Sequence, residues 1–173
     1  RLIELGAPAA LILSDREPEP NPRVFKRGSP SRLGESVPRQ FLGILSGPNR
    51  QPFSQGSGRL ELAQAIVRPD NPLTARVMVN RIWQYHFDRG IVRTPNDFGT
   101  MGEAPSHPEL LDWLASEFIA QGWSMKAIHR QILLSNTYRM SSEGNEAALA
   151  KDPRNDLLWR FNMRRLRAEE VRD

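Results

Sequence analysis

Apolar residues recur at helical spacing after Gly58, whereas before Gly58 they stand in short runs interrupted by proline and glycine. Residues 1–58 contain 8 of the 14 prolines and 7 of the 12 glycines. Proline and glycine disrupt regular helices, while apolar side chains three or four positions apart favour a helix with one buried face. We therefore predict a Pro/Gly-rich arm at 1–58 and a helical domain at 59–173.

The helical part divides into segments with recognisable beginnings and ends. Periodicity predicts helices at 59–67, 73–86 and 124–135, one that follows Ser106 and ends at Gly122, a short one at 146–151, and a last one from about residue 166. Asn71 before Pro72 is a favourable N-cap, as is Ser124, and Ser106 with Glu109 has the spacing of a capping box. The fold class predicted is mainly α, an orthogonal bundle of about four to six helices.

Two patterns indicate how these helices pack. The segment 73–86 is apolar nearly all round, which is typical of a central helix, except for a polar stripe at Arg76, Asn80, Gln84 and Asp88. In the segment 124–135 we expect Ile128, Ile132 and Leu133 to face inward. The four tryptophans fall on separate segments and are expected to anchor the core: Trp83, Trp113, Trp123 and Trp159.

The arm carries only short stretches capable of forming strands, at 10–13, 23–26 and 41–45. Gly28-Ser29-Pro30 and Gly34-Glu35 have the composition of turns. We therefore expect the arm to be loop-rich and poor in β-structure.

The distribution of charge argues against some classes of function but does not identify the function. The 173 residues carry a formal net charge of +4, and the sequence pI is about 10.1. The net charge is +3 over residues 1–58, +1 over 59–140 and 0 over 141–173, so no segment has the concentrated basic face typical of nucleic-acid binding. Near the end, acidic residues at 169, 170 and 173 stand at helical spacing beside the arginines at 160, 164, 165, 167 and 172, which favours ion pairs within a helix over a phosphate site.

The absence of cysteine excludes disulfides, cysteine-ligated zinc, iron–sulfur clusters and covalent c-type haem within these residues. No apolar run approaches the ~20 residues that a membrane-spanning helix needs. We predict no cofactor-binding or metal site in this sequence. Because the chain begins without Met and stops inside a predicted helix, we expect it to be a segment of a longer polypeptide.

No catalytic constellation is evident, and the catalytic residues are unassigned. None of the three histidines forms the i, i+4 pair common in helical metal sites. The best candidates for a metal-assisted hydrolase surround the connector at 91–106, because long loops often carry function. They are His86, Asp97, Glu103 and His107.

Several longer motifs are more specific. They are DNPLTARV at 70–77, NRIWQ at 80–84, GIVRTPNDFG at 90–99, SHPELLDWLA at 106–115, GWSMK at 122–126, SNTYR at 135–139 and RRLRAEEVRD at 164–173. Residues 59–173 thereby resemble a planctomycete-type domain of unknown function (number 1553), and the arm resembles the segment that precedes it in that family. Asp88 departs from the pattern, since the family usually has glycine there, so this turn is expected to differ in shape.

The resemblance implies an exported protein, periplasmic or on the cell surface, whose longer chain often carries a c-type cytochrome module. Any c-type haem would therefore lie elsewhere on the full-length chain or on a partner. The leading hypothesis is a non-catalytic interaction module that docks a neighbouring domain of the same polypeptide or a partner protein. The alternative is an exported metal-assisted hydrolase, and nucleic-acid binding ranks third.

Overall fold

The computed structural model describes residues 12–15, 21–47, 50–166 and 171. The chain divides into two compact units, Arg1–Arg68 and Pro69–Asp173. Six α-helices and one two-stranded sheet are found in the described residues, which confirms the mainly helical fold with a β-poor arm. No helix in these ranges is long and apolar enough to cross a membrane.

The described part of the first unit contains a small antiparallel sheet and two α-helices. Strand β1 (Arg23–Phe25) pairs with β2 (Leu33–Ser36), with Arg23 opposite Ser36 and Phe25 opposite Leu33. Helix α1 spans Gly43–Ser46, and α2 spans Arg59–Ile66. The predicted strand at 23–26 and helix at 59–67 are thus confirmed.

One prediction in this unit was wrong, and a second stretch differs from what its composition favours. The Gly34-Glu35 turn is part of β2, where Val24 packs against Gly34 and the backbone pairs with β1. The stretch at 41–45, which has the composition of a strand, instead contains a single helical turn closed by a hydrogen bond from Gly47 N to the Gly43 carbonyl. In short segments, tertiary contacts can outweigh the intrinsic preference of the residues for a strand or a turn. Of the stretch at 10–13, residues 10 and 11 lie outside the described residues, and residues 12 and 13 are not in a strand.

Among the described residues, the second unit contains four helices: α3 (Thr74–Phe87), α4 (Pro108–Ala120), α5 (Met125–Leu134) and α6 (Glu146–Lys151). The first three pack against one another around a single core. Its largest fully buried side chains include Val79 from α3, Leu114 and Phe118 from α4, and Ile128 and Ile132 from α5. Helix α3 therefore has the central place that its sequence predicted.

Asn80 is the main departure on α3. Its side chain is fully buried, although the sequence placed it in a polar stripe. Its Oδ1 accepts the Val92 N–H at 2.8 Å, and its Nδ2 donates to the Val92 carbonyl at 3.0 Å. Gly90 passes so close that an added Cβ would meet Asn80 Nδ2 at 2.8 Å. The Asn80 side chain thus hydrogen-bonds both backbone groups of Val92 and holds the connector against α3.

The helix ends agree with the sequence in part. Ser124 caps α5 by accepting the Ala127 N–H, and Gly122, at φ +64°, lies just beyond α4, as predicted. Asn71 accepts the Leu73 N–H at 3.0 Å as a cap would, but α3 begins only at Thr74.

The capping box at Ser106 was a wrong prediction. Helix α4 begins at Pro108, and its N-cap, His107, makes no side-chain cap bond. The hydroxyl and the N–H of Ser106 both donate to the Ile91 carbonyl, so Ser106 closes the connector instead of capping the helix.

Other side chains face solvent where a buried position was expected. Leu133 is 40% exposed and Trp113 is 51% exposed, whereas Trp83 is buried as predicted. Asp88 adopts a left-handed conformation, at φ +62°, as the C-cap of α3. Glycine favours that conformation, so the Asp88 departure is compatible with a glycine-type turn. The last predicted helix, with most of its arginine and glutamate pairs, falls largely on residues 167–170 and 172–173, outside the described residues.

Candidate functional site

Each of the four hydrolase candidates forms its polar contact with a different residue. Asp97 Oδ1 accepts the Gly99 N–H at 2.9 Å, inside the connector's own turn. Glu103 lies 3.9 Å from Arg93, and His107 Nδ1 lies 3.0 Å from the Ser106 hydroxyl. His86, at the end of α3, contacts none of these three and pairs with His129 instead. Across the described ranges, no group of three or more histidine, aspartate or glutamate side chains is placed to hold a metal ion.

The His86–His129 pair joins the end of α3 to the middle of α5. His86 Nε2 and His129 Nδ1 are 2.8 Å apart, a hydrogen bond in which one ring donates and the other accepts. The rings meet edge to face, and Tyr138 packs edge-on against His86 with ring centroids 5.7 Å apart. Burial lowers the pKa of His86, and positive charge on His129 and Arg164 lowers it further. The lowered pKa favours the neutral form of the His86 ring.

Sequence reasoning missed this pair, because 43 positions separate the two histidines. The only available signal was that each stands beside a core position, His86 before Phe87 and His129 after Ile128. That signal places both rings near the core, but it does not place them together.

A groove lies along the outer side of α5, next to this pair. Its volume is about 660 Å³. Leu134 is 64% exposed there and Leu133 is 40% exposed, so much of the lining is apolar. The full lining comprises Ser124, Lys126, Ala127, His129, Arg130, Leu133 and Leu134, which includes two cations and no carboxylate. The groove is thus an apolar surface with a positively charged border.

A separate ionic cluster fastens the connector to the segment after α6. Asp156 accepts hydrogen bonds from Arg93 and from Arg89, the latter at 2.8 Å, while Arg154 lies 3.5 Å away. The Arg93 hydrogen bond is the main cause of the lowered pKa of Asp156, and the same bond raises the pKa of Arg93. These ion pairs tie the connector to the segment after α6.

Comparison with known proteins gives a match to a family of unknown function. The family model described as PSD1, protein of unknown function (DUF1553), matches residues 58–173. No curated protein and no solved structure matches the chain.

Proposed function

The chain belongs to the PSD1 family of proteins of unknown function (DUF1553). Since the family supplies no function, we propose one from the surface of this chain. The helical domain is a non-catalytic interaction module that docks a neighbouring domain of a longer exported polypeptide. The observation that carries the proposal is the apolar groove on α5, bordered by Lys126 and Arg130.

The exposed leucine surface of the groove limits the affinity that docking can gain. The exposed fractions of Leu133 and Leu134 together amount to about one fully exposed leucine. Burying a leucine side chain contributes about 1.5–3 kcal/mol, which corresponds to roughly a 10- to 150-fold gain in affinity. This gain is too small to hold a free partner alone, but it suits a domain that is already tethered nearby.

Charge defines the chemistry of the occupant. Lys126 and Arg130 border the groove without a carboxylate among the lining residues. A segment that brings leucine-sized apolar side chains flanked by aspartate or glutamate would bury its apolar atoms and pair its carboxylates at the border. We therefore propose an acidic amphipathic segment of the neighbouring domain as the occupant, with a separate partner protein as the other outcome of the test.

The proposed cellular setting rests on the sequence resemblance. It is an exported polypeptide, periplasmic or on the cell surface, associated with a c-type cytochrome. The test is to purify the natural full-length protein from its source and record whether c-type haem absorbance co-elutes with it. Co-elution is the expected result, and a haem-free particle would contradict the cytochrome association.

The alternative hydrolase hypothesis receives less support. Its four candidates, His86, Asp97, Glu103 and His107, each contact a different partner, and none of those contacts brings two candidates together.

Docking can be tested by cysteine labelling, since the chain contains no cysteine of its own. Leu134→Cys places a thiol in the groove, and Leu157→Cys is a matched control outside it, because the two leucines are 64% and 66% exposed. Each variant is labelled with a maleimide, both in this chain and in the natural full-length polypeptide, and the modified peptide is quantified by mass spectrometry.

Docking predicts that labelling at position 134 slows at least about tenfold in the full-length polypeptide, the effect of ~1.4 kcal/mol of protection. Labelling at position 157 should not change. Equal rates at position 134 in both settings would contradict docking by a neighbouring domain. Protection that appears only after a second protein is added would identify a separate partner.

A further inference from the structure

A second cleft, which shares no residue with the groove on α5, lies between the outer side of α3 and the connector. Its volume is about 310 Å³. Arg81, Gln84, Tyr85 and Asp88 form one wall, and their spacing of three, four and seven positions places them on one face of the helix. Pro95 and Asn96 form the opposite wall.

The cleft is held in shape by contacts on both sides. Arg81 Nη2 donates to Asn96 Oδ1 at 3.0 Å, which links the two walls. Asp97 N–H donates to the Thr94 carbonyl at 2.9 Å, so Pro95 and Asn96 occupy the two central positions of a tight turn. The connector is also fixed further back by the Asn80 bonds to Val92. A ligand would therefore find this site already formed.

The lining combines an aromatic surface with unused hydrogen-bonding groups. Tyr85 is 65% exposed, and with the Pro95 ring it supplies the apolar part of the cleft. Within the described ranges, neither the Gln84 amide nor the Asp88 carboxylate forms a hydrogen bond or ion pair. The Arg81 guanidinium has five N–H donors, and its bond to Asn96 uses one of them.

These groups select a ligand by chemistry. Arg81 and Asp88 carry opposite charges, so their effects on a singly charged ligand offset each other and the lining gives neither an anion nor a cation a net advantage over a neutral molecule. A purely apolar ligand would leave the amide and carboxylate without partners, which is unfavourable. A volume of about 310 Å³ is near the lower end of the ~300–1,000 Å³ typical of small-molecule pockets, and it suits one ring rather than a long segment.

We propose that this cleft binds a neutral carbohydrate. One face of a pyranose ring packs on Tyr85, its hydroxyl groups donate to Asp88 and Gln84, and they accept from Arg81. The amphipathic character of a sugar ring, with C–H groups on its faces and hydroxyls at its edges, matches a lining that is aromatic on one side and polar on the other.

The test is a titration of the ¹⁵N-labelled chain with cellohexaose and maltohexaose, followed by NMR. The expected result is saturable shifts of the backbone amides of Gln84, Tyr85 and Asn96, with a Kd of about 1 mM or ~4 kcal/mol. Because the ligand is neutral, the Kd should not change in about 0.5 M NaCl, which screens ionic contacts strongly.

Two variants separate this site from nonspecific binding. Tyr85→Ala should weaken the binding about tenfold, the effect of ~1.4 kcal/mol. Trp113→Ala is the matched control, because Trp113 is another exposed helix aromatic and lies outside the cleft. Gln84→Ala provides a second lesion if Tyr85→Ala alters the fold. No shift with either sugar at up to ~20 mM, shifts confined to other residues, or equal Kd values for Tyr85→Ala and Trp113→Ala would overturn the proposal.

Discussion

Replacing Asn80 by alanine removes the side chain that satisfies both backbone groups of Val92 inside the core. Asn80 is fully buried and Val92 is 2% exposed, so water does not replace the lost bonds without rearrangement of the connector. The Val92 N–H loses its acceptor at 2.8 Å, and the Val92 carbonyl loses its donor at 3.0 Å. The expected result is a large loss of stability.

The size of that loss follows from the two bonds. Leaving a buried donor or acceptor unsatisfied costs about 1–3 kcal/mol, so two such groups cost about 2–6 kcal/mol. Alanine has the higher helix propensity and recovers about 0.5 kcal/mol. We therefore expect Asn80→Ala to lower the free energy of unfolding by about 3 kcal/mol, a large part of the ~5–15 kcal/mol typical of a domain.

The measurement is urea unfolding followed by tryptophan fluorescence, since Trp83 is buried in the same core. Asn136→Ala is the control, because Asn136 is exposed and should change stability by less than about 0.5 kcal/mol. Asn80→Asp keeps the acceptor for the Val92 N–H but places a carboxylate against the Val92 carbonyl, so its effect should increase as the pH rises above about 4. A loss below about 1 kcal/mol for Asn80→Ala, or one equal to that of Asn136→Ala, would refute the reasoning.

Two further predictions concern the end of α3. Burial and the positive charges of His129 and Arg164 hold the pKa of His86 below its ordinary value, so the unfolded state takes up this proton at higher pH than the folded state. The free energy of unfolding should therefore reach its full value above about pH 6.5 and fall as the pH decreases below it. In urea titrations at several pH values, His86→Gln should make the free energy of unfolding less dependent on pH. An unchanged pH dependence would show that another group causes it. Asp88→Gly should raise the free energy of unfolding by about 0.5–1 kcal/mol, because glycine reaches φ +62° without strain and the change removes a negative charge from a helix C-terminus. Asp88→Ala keeps the strained Cβ and should gain less in the same assay, so the reverse order would show that backbone strain is not the cause.

Signals that act over a few residues determined much of the fold. Helical spacing of apolar positions located α2 to α6, and the Ser124 hydroxyl reaches the Ala127 N–H within one turn, so its role can be deduced from sequence. Local chemistry fails where a residue has a better partner at a distance. Ser106 has the correct spacing from Glu109 for a capping box, but it hydrogen-bonds to Ile91 instead, 15 positions earlier.

The candidate sites depended on tertiary structure throughout. The cleft between α3 and the connector combines the outer face of α3, whose spacing could be deduced, with Pro95 and Asn96, whose position depends on how the connector folds back. The groove on α5 exists because Leu133, expected in the core, faces solvent beside Leu134.

The sequence by itself determined that this protein is mainly helical, where most of its helices begin and end, and that α3 lies at the centre. Those features depend on side chains within about one helical turn of one another. Only the tertiary structure decided that Asn80 is buried against Val92 and that His86 meets His129 across 43 positions. The physical reason is that these contacts depend on how whole helices pack against one another. The spacing of residues along any one helix does not encode that packing.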